Sequence, residues 1–254
     1  MAEVEKRLLV VACEVLAREL QFVAASAERP VDIEMLSQGL HEAEKPGMAD
    51  QIQKSIDAAD PGLYDGIALA YALCNNGVLG IVARSLPVAV PRTHDCIALL
   101  LGSHARYQAE FEAEPGTYYY SPGWLERDTT NMPHQMPTVQ DTLGTGGSYA
   151  ELVEQYGEEN ARYVWEQLHG SWEQHYTRAA YIAPPFPVPE NFEAAARARA
   201  EENRWKYQRI EGRPGFLEKL VSGRWPADEF LVLSPGEKLV AGDPGGDILR
   251  AEKE

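Results

Sequence analysis

Short apolar runs alternating with helix-patterned stretches constrain this chain more than any other feature. "RLLVVAC" (Arg7–Cys13) is almost unbroken in apolar character, as a strand covered on both faces must be. In "EVLARELQFVAASA" the residues Val15, Leu16, Leu20 and Val23 recur at helical spacing. "VDIEML" (Val31–Leu36) alternates with period two and predicts a second strand. "PGMADQIQKSIDAA" puts Met48, Ile52 and Ile56 on one helix face, with Pro46 near its start. "YDGIALAYALC" (64–74) predicts a third strand, "NNGVLGIVARS" a turn and short helix, and "LPVAVPR" a fourth strand. "HDCIALLLGSHARYQAEFEAE" reads as a strongly helical stretch, with Gly102 either packed closely inside one helix or breaking it. The expected fold is therefore α/β: an open, mostly parallel sheet with flanking helices and right-handed crossovers.

The second half of the chain is less regular. "GTYYYSPGWLERDTTNMPHQMPTVQDTLGTGGS" reads as a strand and then a long loop, 122–148, placed to act as a lid. A helical stretch over 149–174, a strand in "YTRAAYI", a Pro-rich connector, a helix over 190–207 and a short helix in "GFLEKLVSG" follow. "DEFLVLSPGEKLVAG" predicts a final strand and turn. This order is compatible with two Rossmann-like lobes, 1–144 and 145–254, the last strand being free to return to the first lobe.

Charge and hydropathy narrow the partners. With 39 acidic against 23 basic residues the formal net charge is −16, which disfavours nucleic acid and anionic membrane surfaces. There is no run of about 18 apolar residues that would span a bilayer. The apolar start is interrupted by Glu14, Arg18 and Glu19 and reads as a strand and helix rather than a signal peptide. Three cysteines are an odd number for a disulfide framework. The expectation is a cytoplasmic protein with reduced thiols.

Those thiols carry the functional argument. Cys13 ends the first expected strand, Cys74 the third, and Cys96 follows the fourth at the start of a helix. Ligands of open parallel sheets bind outside the carboxyl ends of the strands, so the fold would gather the three sulfurs on one rim. A helix N-terminus, Arg92 and His94 would favour the thiolate form. Three thiolates suit zinc, with His94, His41 or water as fourth ligand. They suit equally a [4Fe-4S] cluster with one open iron. No C-x-x-C spacing supports either choice, and three buried, merely packed cysteines are the competing explanation.

The neighbouring residues have alternative roles. Arg92, His94 and Asp95 are candidate catalytic or substrate-orienting groups. Cys96 and His94 also form a candidate nucleophile and base. Asp95 or Thr93 is expected to cap the following helix, and Arg92 either binds an anionic substrate group or pairs with an acidic neighbour. His41, Asn75, Tyr118 and Trp124 are candidate fourth-ligand or substrate contacts, with Tyr120 a further possible wall. "GTGGS" (144–148) is an anion cradle or a flexible linker. His134 has no evident partner, and His169 and His175 read as surface residues.

"CEVLAREL", the "LH…P" after strand two, "YALCNNG", "VPRTHDCIALLLGS" and "PGTYYYSPGW" together resemble domain of unknown function family 1638 (DUF1638). The likeness covers most of the chain, in order, and the "PR-x-HDC-x-x-LLGS" block is its most specific part. The family's third block reads "YGLCGNG", so Ala72 replaces one glycine and Asn75 another residue. The resemblance implies a soluble bacterial or archaeal protein with no assigned reaction. It also implies relatives beside corrinoid-dependent methyl-transfer genes, hence one-carbon or sulfur metabolism, although no D-x-H-x-x-G corrinoid motif is present here.

The sequence thus leads to a metalloprotein acting on a small-molecule substrate. If it is an enzyme, it is a metal-dependent transferase or lyase. Two alternatives stand beside it: a non-catalytic accessory to a corrinoid or methyltransferase partner, and a metal-free small-molecule binder.

Overall fold

The computed structural model describes residues 5–41, 47–128, 158, 176–243 and 246–254. Four parallel strands, β1 (Arg7–Cys13), β2 (Val31–Leu36), β3 (Tyr64–Ala70) and β4 (Val88–Pro91), form the first sheet in the order β2-β1-β3-β4. A fifth strand, β8 (Phe230–Leu233), closes it antiparallel to β4. The C-terminal region thus returns to the first sheet. Helix α1 (Ala17–Ala24) leads to β2 on one side of β1, and α2 (Met48–Ala58) leads back to β3 on the other. The strand order therefore reverses beside β1, which opens a crevice between the carboxyl ends of β1 and β3.

The period-two alternation of β1 divides the core. Leu8, Val10 and Ala12 face one layer, with Leu20 and Val23 of α1. Leu9, Val11 and Cys13 face the opposite layer, with Met48, Ile52 and Ile56 of α2. Each aliphatic side chain buried this fully contributes about 1.5–3 kcal/mol relative to exposure. The α2 layer is completed by a hairpin of β9 (Glu237–Ala241) and β10 (Leu249–Lys253), which inserts Leu239 and Leu249.

A second sheet is parallel throughout: β5 (Thr117–Tyr120), β6 (Arg178–Ala183) and β7 (Lys206–Glu211) in that order. Ala180, Ile182 and Ile210 join the core that holds Leu8 and Val10. Between the sheets lie α1, α3 (Ile97–Leu101) and α7 (Gly215–Ser222). The other face of the second sheet is covered by Leu125 of α5 (Pro122–Asp128) and by Phe192, Ala196 and Ala200 of α6 (Asn191–Glu202). The second sheet begins at β5, before residue 144, while the expected lobe boundary lies outside the described residues, as do "GTGGS" and, apart from residue 158, the expected helix over 149–174.

Five local expectations change. Turns replace the short helix expected over 75–85, and the loop expected over 122–148 begins as α5, its part beyond Asp128 lying outside the described residues. The expected helical stretch is two helices: Gly102 is left-handed at φ +88° and ends α3, and Ser103 Oγ accepts the Arg106 amide at 3.2 Å to start α4 (His104–Ala113). The expected helix over 190–207 stops at Glu202 because Arg204 is left-handed at φ +59°; "KYQRIE" then runs as β7. The expected third strand ends at Ala70 rather than Cys74, because the next residues bond to the loop after β4.

Candidate functional site at the carboxyl rim of the first sheet

Cys13 is the last residue of β1, and its side chain lies in the α2 layer of the core. After β3 the chain bends across the rim. The Leu73 amide donates to the Thr93 carbonyl at 3.0 Å and the Cys74 amide to the His94 carbonyl at 3.1 Å. Cys74, Asn75 and Asn76 are then all left-handed, at φ +46°, +54° and +66°. That conformation costs roughly 1–2 kcal/mol per L-residue and is eased by asparagine. Gly77 closes the turn by donating to the Cys74 carbonyl at 3.0 Å. A Cβ on Gly77 would lie 2.9 Å from Met48 Sδ, so the turn is held against α2.

The loop after β4 brings Cys96 to the same rim from the other layer, in the core with Leu99 and Leu100. The N-cap of α3 is Cys96 rather than the expected Asp95 or Thr93; Asp95, one residue outside it, accepts the first helical amide, that of Ile97, on Oδ1 at 2.9 Å. Thr93 is instead buried with Oγ1 3.2 Å from His104 Nδ1. His94 is exposed, its ring centroid 6.1 Å from that of His104.

The electrostatics tie the three thiols together. Burial pushes Cys13 up to about 11. Burial, then the Asp95 charge and also Cys13, raise Cys74. Cys96 is raised well above its ordinary value by burial, by Asp95, and by both other cysteines. Charge on Cys13 would therefore disfavour a thiolate at Cys74, and charge on either would disfavour one at Cys96. The thiolates expected from a helix dipole and two cations are not favoured in the free protein: α3 has five residues, and a carboxylate stands beside Cys96. Among the described residues, no group of three or more His, Cys, Asp or Glu side chains is arranged as a ready-made metal site.

A buried tyrosine completes this rim. Tyr71, 1% exposed, has a hydroxyl with no hydrogen-bond partner among the described residues. Burial, then the neighbouring Cys13 and Cys74, raise its pKa. A thiolate there would supply the acceptor that the hydroxyl lacks, and such outer hydrogen bonds tune metal-bound sulfur. Thiols are soft donors by chemistry, but among the described residues they are not arranged around a common metal position.

The other expected residues fall variously. The Arg92 guanidinium donates to the carbonyls of Ala227, Phe230 and Leu249 at 3.0, 3.3 and 2.8 Å, which anchors β4 to the C-terminal strands. Asn75 is exposed on the left-handed turn. Trp124 packs against both cores that meet at the rim. Its helix sits tightly on the turn after Cys13: a Cβ on Gly123 would lie 1.9 Å from the Val15 carbonyl oxygen. Tyr118 belongs to an aromatic cluster of the second sheet with Tyr120, Tyr176 and Trp205. Alternation along β5 turns Tyr119 instead toward the core containing Cys96. The side chain of His41, and His134, His169 and His175, lie outside the described residues.

Sequence reasoning missed Tyr71, Tyr107 and His104. Tyr107 is pushed up to about 12 by burial, then by Asp95, with Cys96 also contributing. His104 is lowered by burial and by His94. Tyr71 was legible in principle, three residues before Cys74 in a stretch read as strand. Tyr107 and His104 depended on the helix break at Gly102.

A family model described as protein of unknown function (DUF1638) matches residues 35–221. No curated protein and no solved structure matches the chain.

Proposed function

The chain belongs to the DUF1638 family, and from its rim we propose that it is a metalloprotein whose Cys13, Cys74 and Cys96 together hold one thiolate-bound metal centre. The observation supporting this is that Cys13 ends β1 while the loops after β3 and β4, bonded to each other at Leu73–Thr93 and Cys74–His94, carry Cys74 and Cys96 at the same rim. Zinc would supply a Lewis acid there, and a [4Fe-4S] cluster an open iron.

The chain's own groups have distinct tasks in this reading. Asp95 fixes the start of α3 and thereby the backbone of Cys96. The stitched loops after β3 and β4 fix Cys74 relative to Cys96. Tyr71 donates to sulfur, and Trp124 with α5 covers the crevice and excludes water. The substrate is a small molecule of one-carbon or sulfur metabolism in a reducing compartment such as the cytoplasm.

A second reading, a metal-free small-molecule binder in which the cysteines only pack, draws support from the upward shift of all three thiols. Zinc titration of the apoprotein separates the two. Stoichiometric uptake with proton release and protection of all three thiols from alkylation supports the metal centre. An absence of uptake, both of zinc and after anaerobic iron and sulfide reconstitution, supports packing. An accessory role beside a methyltransferase shares the same site and would show metal uptake without turnover.

A further inference from the structure

Helix α5 lies over the carboxyl rim of the first sheet, and charge fastens it there. It follows β5 directly, and Ser121 Oγ accepts the Trp124 amide at 3.4 Å at its start. Leu125 is buried in the core of the second sheet. Trp124 packs against the two cores that meet at the rim, one of which holds Cys13. Gly123 comes so close to the turn Glu14–Leu16 that a Cβ would collide with the Val15 carbonyl.

Four charged side chains bind this helix to the first sheet's rim as one chain of ion pairs. Arg18 of α1 pairs with Glu126. Glu126 Oε2 lies 3.4 Å from Arg127 Nη1, and Arg127 Nε lies 3.4 Å from Glu14 Oε1. The same Glu14 oxygen accepts the Gln38 amide at 2.9 Å, which ties in the loop after β2. At the other end the Arg18 guanidinium stands over the Phe192 ring of α6 at 5.6 Å. Glu14 directly follows Cys13, so the chain of charges ends one residue from that thiol. All four side chains are between 27% and 36% exposed. Ion pairs this wet are weak singly and are screened by salt, whereas the burial of Leu125 is not. The charged contacts are therefore the part of the cover that can let go while β5 keeps its place.

We propose that α5 is a releasable cover: the Arg18–Glu126 and Arg127–Glu14 pairs latch it over the crevice, and their loss lets a solute reach Cys13. The latch controls access to the rim assigned above and rests on that reading. Access to a thiol is read without any metal, so the latch and the metal centre fail separately.

The test is the alkylation rate of Cys13 by neutral iodoacetamide in the full, chelator-treated chain, followed by peptide mass spectrometry. The screening length falls from about 10 Å at about 0.1 M salt to about 3 Å at about 1 M. Wild type should react at least about threefold faster at the higher salt. Arg18→Gln and Arg127→Gln should each react at least about threefold faster than wild type at the lower salt, with the salt response lost in the double variant. Arg127→Gln also decides by sign. The Arg127 charge favours the Cys13 thiolate, the reacting form, so removing it without releasing the cover would slow the reaction. A slower Arg127→Gln, a rate indifferent to salt, or an unaccelerated Arg18→Gln overturns the proposal. So does an equal acceleration of Cys74, which would signal opening of the whole fold. If Arg127→Gln fails to fold, Arg18→Gln and the salt response of wild type still decide.

Discussion

The Cys74 amide donates to the His94 carbonyl at 3.1 Å, which joins the loop after β3 to the loop after β4 two residues before Cys96. This backbone bond, with the Leu73–Thr93 bond beside it, sets the positions of two of the three thiols without any side-chain contact between them. Its counterpart is the left-handed run of Cys74, Asn75 and Asn76 that follows.

That run makes a stability prediction. Alanine lacks the side-chain amide that eases the left-handed region, so Asn75→Ala and Asn76→Ala should each destabilise by about 1 kcal/mol. Asn75→Gly should be nearly neutral. Urea denaturation midpoints check this, and an Asn75→Ala as stable as wild type would contradict the backbone path.

Arg92 should behave as an anchor. Removing its donors to three carbonyls by Arg92→Ala should cost about 1–3 kcal/mol and leave the alkylation rates of all three thiols unchanged in the folded protein. Faster alkylation of Cys74 or Cys96 under native conditions would instead place Arg92 in the thiol site.

Glu19 makes stability fall as pH rises. Burial pushes its carboxyl up to about 7, whereas in the unfolded chain it ionises near about 4.3. Below about pH 4 both states hold the proton and nothing is lost. Between about pH 4 and 7 the unfolded state ionises first, and the loss is complete by about pH 8. Glu19→Gln should therefore stabilise by roughly 3–4 kcal/mol at pH 8 and change little at pH 4. Denaturation at the two pH values reads the difference, and an equal effect at both would contradict it.

The thiols should be slow without metal. With Cys13 at about 11 against about 8.5 for a free cysteine, its alkylation at pH 7.5 should be at least ~100-fold slower than in the unfolded chain. The rate should climb steadily as pH rises toward 11. Fast alkylation at pH 7.5 would show a thiolate that the burial does not allow.

The first strands and helices were the legible part of this fold: an apolar run bounded β1, period-two alternation marked β2, and Met48, Ile52 and Ile56 revealed α2 by their spacing. Cys13 does end its strand, whereas Cys74 lies four residues past the end of β3. What remained illegible turned on single left-handed residues: Gly102, which splits one helix into α3 and α4; Arg204, which ends α6 and frees β7; and Cys74 to Asn76, which turn the chain out of β3. The high thiol pKa values were also hidden, because they depend on burial and on Asp95 lying beside Cys96, neither of which spacing reports. Glu19 read as an interruption of an apolar run, and only packing shows that its carboxyl oxygen is enclosed.

Metal content tests the central claim most directly. The protein would be purified anaerobically and analysed for metals and sulfide beside Cys13→Ala, Cys74→Ala and Cys96→Ala. A three-thiolate centre predicts about one zinc, or about four irons with sulfide, per wild-type chain, and a large loss in every variant. A metal-free wild type, or wild type and Cys96→Ala carrying equal metal, would contradict it.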